Sequence, residues 1–233
     1  MRRRLLLAPL LGCVGTLIIG VAASQASGKP TASQLLQTAF ADAAARGSVH
    51  EVEHAVSGHN WFIASDDVSL QDGLQDITRS GGIHAHVILL GPVAYVSGNH
   101  TTLVSYFGLP TSAARAVGSR WIRVPASDHG WYPTVAADAT LPSALNQVKP
   151  TGPLVDLPPT ELDGQSVIGI RGNMPKGFTG GGTDIVFITR SSHPLVVSAT
   201  FTGHGEKVTS TFSHWGEHVA PHAPSSWIAS NKL

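Results

Sequence analysis

From residue 165 to 215 the chain is written in short runs rich in Val, Ile, Thr and Phe, each closed by turn-forming residues. QSVIGIRG (165–172), TDIVFITR (183–190), PLVVSATFTG (194–203) and EKVTSTFSHW (206–215) follow one another with little between the last three but SSH and HG. Links this short admit only antiparallel hairpins, so the segment reads as a meander. In the third run Leu195, Val197, Ala199 and Phe201 fall on one face, and Val196, Ser198, Thr200 and Thr202 on the other. A period of two with one greasy side describes a sheet that buries one face and wets the other. Upstream, IHAHVILLG (83–91), VAYVSG (93–98) and RWIRV (120–124) have the same texture, and the first is apolar on both faces.

Helical pattern is confined to two places. Residues 33–46, SQLLQTAFADAAAR, carry Leu35, Leu36, Ala39, Phe40 and Ala43 along one stripe, with Ser33 to cap and Gly47 to stop. Between 100 and 150, TTLVSYFG, TSAARAVG and TLPSALNQV each suit a short helix cut off by Gly or Pro. The NMPKGFTGGGT segment (173–183) is glycine-rich but leads into a strand. Phosphate cradling requires a helix there, so it reads as a hairpin loop.

The leader sets the compartment. MRRR is followed by an uncharged apolar run to Ala23 and then by small residues. Residues 1–28 therefore read as a signal peptide or an N-terminal membrane anchor, and 29–233 as a single exported domain. The one cysteine, Cys13, ends Leu10-Leu11-Gly12-Cys13, which looks like a lipidation site, although the residues after it stay apolar. Without another cysteine, packing alone must hold the domain together. Only 13% of residues are charged, formal net charge is zero, and no basic patch is interleaved with aromatics. A nucleic-acid partner is therefore not expected.

One motif points to chemistry. HEVEH (50–54) matches the H-E-x-x-H signature, in which a helix places two zinc-binding histidines one turn apart with a glutamate as base. Ser48 and Glu51 form an S-x-x-E capping pattern that supports a helix. Against it, Gly47 has just ended one helix, and the valine-rich segment runs into the strand-like HNWFIAS. In a strand His50 and His54 stand about 13 Å apart at ~3.3 Å per residue, too far to share one ion. Ser57 and Asn60 occupy the positions where the longer zinc signature carries Gly and His, and no glutamate on a second helix offers itself as third ligand. The strand is the preferred reading, with a zinc site at His50 and His54 as the alternative. His214, His218 and His222 recur every four residues, but Pro221 breaks any helix joining them. No nucleophile constellation appears, and Asp66-Asp67 reads as a solvated turn. An enzyme is not expected and no cofactor is implied.

The order of these pieces resembles a known group. An exported chain opens with one amphipathic helix and continues through SVHEVEHAVSG and DGLQDI to AYVSGN (94–99), SRWIRVP (119–125) and FSHWGEHVAPHAP (212–224). It is similar in this to the actinobacterial LppX/LprG-type lipoproteins, within the wider group that shares the LolA/LolB carrier architecture. That resemblance implies an α+β fold: a curved antiparallel sheet, or half-barrel, with helices on its concave face and an apolar cavity between. It also implies a non-enzymatic carrier of lipid or another apolar ligand, outside the cytoplasm and associated with the membrane. The expected lining is Leu36 and Phe40 on the first helix, Leu103 and Phe107 on the middle helices, and Ile88, Leu90 and Phe187 on the sheet. Extracting a sixteen-carbon chain from a bilayer must replace on the order of 10 kcal/mol of burial at about 0.8 kcal/mol per CH₂. The alternative is a sensory or protein-interaction module of the same fold whose interior is filled.

Overall fold

A computed structural model describes residues 29–174 and 181–233. Cys13, the leader and most of the 173–183 loop lie outside the described residues. The chain opens with helix α1 (Ala32–Ala45). Five strands follow: β1 (Ser48–Ser57), β2 (Asn60–Ser69), β3 (Asp72–Arg79), β4 (Ile83–Leu90) and β5 (Val93–Gly98). A π-type turn (Thr102–Tyr106), α2 (Thr111–Val117), β6 (Trp121–Pro125), α3 (Tyr132–Ala136) and α4 (Leu141–Gln147) make the middle. The rest is strand: β7 (Thr151–Asp156), β8 (Thr160–Leu162), β9 (Gln165–Asn173), β10 (Thr183–Thr189), β11 (Val196–Gly203), β12 (Glu206–Ser213) and β13 (Trp227–Ala229). Among the described residues no helix is long and apolar enough to cross a membrane.

All the strands join one sheet, in the order β13-β6-β5-β4-β3-β2-β1-β12-β11-β10-β9-β7, with β8 paired to β9. The sheet is open and almost wholly antiparallel. The exception is β13, which runs parallel to β6 and pairs Trp227 with Trp121. The meander at 165–215 is β9 to β12, and the HG turn closes β11 on β12 with His204 and Gly205 both at positive φ, 50° and 76°. That geometry gives the twist a two-residue hairpin needs. The short β7, β8 and β13 are not apparent in the sequence: β7 contains Gly152 and Pro153, and the other two span three residues each.

Helix α1 begins one residue before its sequence-based position. Its cap is Thr31, not Ser33. The Thr31 hydroxyl accepts the N–H of Gln34 at 3.3 Å, and the Gln34 side chain accepts the N–H of Thr31 at 2.9 Å. Reciprocal bonding of this kind satisfies two orphan donors at once. Gly47, at φ +80°, turns the chain from α1 into β1.

The helices cover one face of the sheet. Leu36, Phe40 and Ala43 of α1, with Leu141, Ala144 and Leu145 of α4, pack on Val49, Val68, Ile170, Val186 and Ile188. A second cluster sets Leu103, Ala113, Ala114 and Val117 against Val87, Leu89, Val96, Ile122 and Val124. Two close approaches seat this cover. The Thr102 hydroxyl accepts the N–H of His84 on β4 at 2.8 Å. At Gly73 on β3, a Cβ would stand 2.3 Å from the carbonyl oxygen of Ala139, just before α4.

One alternation departs from the sequence pattern. Between Phe187 and Ile188 the β10–β11 register slips, and Ile188 pairs with Val196. The extra residue moves Val196 from the polar face to the core, where it is fully buried.

Gly73→Ala is expected to destabilise the protein by about 1–3 kcal/mol, because a backbone carbonyl cannot swing away as a side chain does. Denaturant unfolding of the two proteins measures this.

Candidate functional site

The register of the sheet arranges its inner face in rows. Val49, Val68, Gly73 and Leu89 form one row under α4. The next runs Phe212, Glu51, Asp66, Gln75, Val87, and the third Val186, Ala199, Ser210, Glu53, Ala64, Ile77. The fourth runs Asp184, Phe201, Val208, Ala55, Phe62, Arg79. Three carboxyls thus stand on the middle of the inner face, and a fourth, Asp184, stands at the edge of the last row.

Burial raises the pKa of all four, because the charged form loses its water. Glu51 rises to about 8, opposed by a hydrogen bond from Ser210 and reinforced by the negative charges of Asp66 and Glu53. Asp66 rises to about 8 despite the Gln75 amide, which donates to it at 3.1 Å. Glu53 rises to about 7, with Asp138 and Glu206 adding to the effect of burial. Asp184 rises to about 7, and the neighbouring Ile185 N–H offsets this only in part. Asp184 is 1% exposed, and neither of its oxygens meets a partner in hydrogen-bond geometry. The sequence reading of Asp66 as a solvated turn residue is therefore corrected: Asp66 faces inward on β2, and Asp67 faces out.

A cavity of about 360 Å³ opens over the third and fourth rows. Ala55, Phe62, Ala199, Phe201 and Val208 give it apolar walls, and Val148 at the end of α4 and Met174 after β9 complete them. Glu53, Asp184 and Ser210 reach it from the sheet, and Arg79 and Glu206 stand at its rim. Val56 and Trp61, paired across the β1–β2 hairpin, also line it and are 40% and 39% exposed, so this hairpin forms a greasy lip.

None of the seven side chains expected to line a cavity lines this one. Leu36, Phe40 and Leu103 are buried within the packed clusters, and Phe107 stacks edge-on with Tyr106 and Trp131. Ile88, Leu90 and Phe187 stand on the outer face, because strand alternation sends Val87, Leu89, Val186 and Ile188 inward instead. The 83–90 run is apolar on both sides, so its pattern does not say which set faces the helices. Acids obscure the lining in the sequence: Glu51 and Glu53 alternate with Val52 along β1, and charge in a strand ordinarily marks a wet face.

HEVEH lies wholly within β1. His50 bonds Asp67 across the outer face at 2.8 Å and packs its ring 5.6 Å from that of His214, while His54 stands exposed further along the strand. Glu51, which a peptidase would need beside its metal, points to the opposite face. Among the described residues no group of three His, Cys, Asp or Glu side chains converges to hold a metal ion.

The raised acids make a pH prediction. An unfolded Glu or Asp binds its proton near pH 4, whereas Glu51 and Asp66 hold theirs up to about 8. Folding therefore takes up protons between those limits, so their contribution to stability is complete below about pH 4 and is lost as pH rises through 8. Relative to wild type, Glu51→Gln and Asp66→Asn should each gain at least about 1 kcal/mol between pH 5 and pH 8. Denaturant unfolding across that range reads the difference, and a parallel pH dependence in wild type and variants is the contrary result.

No family model and no curated protein matches this sequence. Among solved structures, LprF from Mycobacterium bovis superposes with a TM-score of 0.55 at 16% identity, covering 82% of this chain and 96% of that one. The lipoprotein LppX from Mycobacterium tuberculosis gives a TM-score of 0.49 at 18% identity, covering 80% and 97%. The chain has the fold of LprF: the open, curved α+β sheet roofed by helices that the sequence resemblance implied.

Proposed function

We propose that this protein is an exported, membrane-associated, non-enzymatic carrier that binds a lipid or another apolar ligand in the cavity beneath α4. The observation that carries this reading is the cavity itself. Packed clusters hold the helices on the sheet, yet beside the cluster of α1 and α4 about 360 Å³ stays unfilled next to apolar walls. That size lies within the roughly 300–1,000 Å³ of small-molecule sites. Leaving Phe62, Phe201 and Val208 beside empty space forfeits packing that an apolar guest restores. The exposed Val56 and Trp61 extend apolar surface from the cavity outwards, as transfer to or from a membrane requires. The export leader and the resemblance to the LppX/LprG-type group point the same way.

The full chain, purified from a lipid-containing host, should yield lipid on organic extraction and mass spectrometry. Ala55→Trp, which fills the cavity from its floor, should reduce the lipid recovered at least about tenfold, whereas Ile88→Ala on the outer face should leave it unchanged. A protein that comes out empty and refuses apolar probes supports the interaction-module alternative.

A further inference from the structure

We infer that the cavity selects an amphiphile whose polar end is a protonated amine, anchored on Asp184, in preference to one ending in a hydroxyl or an anion. This rests on the carrier reading and names the class of cargo. Asp184 begins the argument. It is 1% exposed, lines the cavity, and neither oxygen meets a partner in full hydrogen-bond geometry, the neighbouring Ile185 N–H offering only a partial interaction. A buried carboxyl without partners is costly, and the usual remedies are a neighbouring cation, a donor or an internal water. No cation among the described residues is paired with it. Among the described residues Arg79 is the only basic side chain lining the cavity, and it lies four strands beyond the neighbouring β11, at the rim on β3.

The remaining charges favour the same ligand. Glu53 on β1 and Glu206 on β12 share the cavity with Asp184, and Glu51 and Asp66 stand in the row behind Glu53. A fatty-acid carboxylate or a phosphate entering here meets, among the described lining residues, three acids (Glu53, Asp184 and Glu206) and one peripheral arginine. An ammonium group meets acceptors, and its charge restores the ionised form of Asp184 that burial disfavours. Phe201 is the direct cross-strand partner of Asp184, and Val208 and Ala55 continue the row, so the apolar tail has a floor leading away from the anchor.

The test compares dodecylamine, dodecanol and dodecanoate, which share a chain and differ in the head, by titration calorimetry on the full chain. At pH 8 the amine is expected to bind about tenfold more tightly than the alcohol, and the carboxylate more weakly than either. At pH 5 Asp184 and Glu53 are protonated while the amine keeps its charge, so the margin of amine over alcohol should shrink. Asp184→Asn should remove that margin at pH 8 while dodecanol binds as before, which also shows that the variant folds. An alcohol that binds as well as the amine to wild type, or a margin that survives Asp184→Asn, overturns the inference and leaves the carrier reading standing. If none of the three binds, the carrier reading falls and this inference with it.

Discussion

Among the described residues a sheet of thirteen strands presents more inner face than four short α-helices can cover, and the rest of the structure follows from where the cover stops. The longest helix, α1, has 14 residues, and the others are too short to cross more than a few strands at about 4.8 Å spacing. The helices therefore gather into two groups. One, α1 with α4, seals β9 to β12 and the near ends of β1 and β2. The other, α2 and α3 with the π-type turn, seals β4 to β6. The far halves of β1, β2 and β12 lie between these seals, and there the cavity opens.

The same geometry explains why carboxyls tolerate the inner face. Glu51, Asp66 and Gln75 sit side by side on three adjacent strands, at the seam between the two apolar clusters. A carboxyl kept neutral by burial is a hydrogen-bonding group instead of a charge; Ser210 bonds Glu51, and Gln75 bonds one oxygen of Asp66. Such a row is stable only while its polar atoms are matched. Matching is incomplete at Asp66, where one oxygen has no partner, and fails at both oxygens of Asp184, one strand beyond β11, at the cavity wall. Structure, protonation and the proposed cargo are tied together at that residue.

Much of the fold was legible. Runs with a period of two and short links identify the meander, and the greasy stripe of Leu36, Ala39, Phe40 and Ala43 identifies α1. The HEVEH segment was legible as a strand from Gly47 before it and the valine-rich texture around it. The site was not legible. Ile88 and Val87 are interchangeable to any pattern-based reading, since both sides of β4 are apolar. Val196 was assigned to the wrong face because a bulge, which sets two residues of one strand against one of its partner, leaves no mark in composition. Nothing in the sequence marks Glu51 and Glu53 as inward-facing, because charge in a strand ordinarily marks water.

The sequence by itself determined the type of the longer elements, the antiparallel links of the meander, the end of α1 at Gly47 and the strand nature of β1. Each of these depends on φ/ψ preferences and periodicity, which act over a few residues. Only the tertiary structure decided which face of each strand became the interior, how far the helices reached, and which acids lost their water. Those depend on cross-strand register and on helix placement, set by contacts such as Gly73 against Ala139 between residues far apart in the chain. A side chain's solvation belongs to the assembled neighbourhood, so a glutamate that is wet in an isolated strand becomes dry and neutral once α4 closes over the sheet.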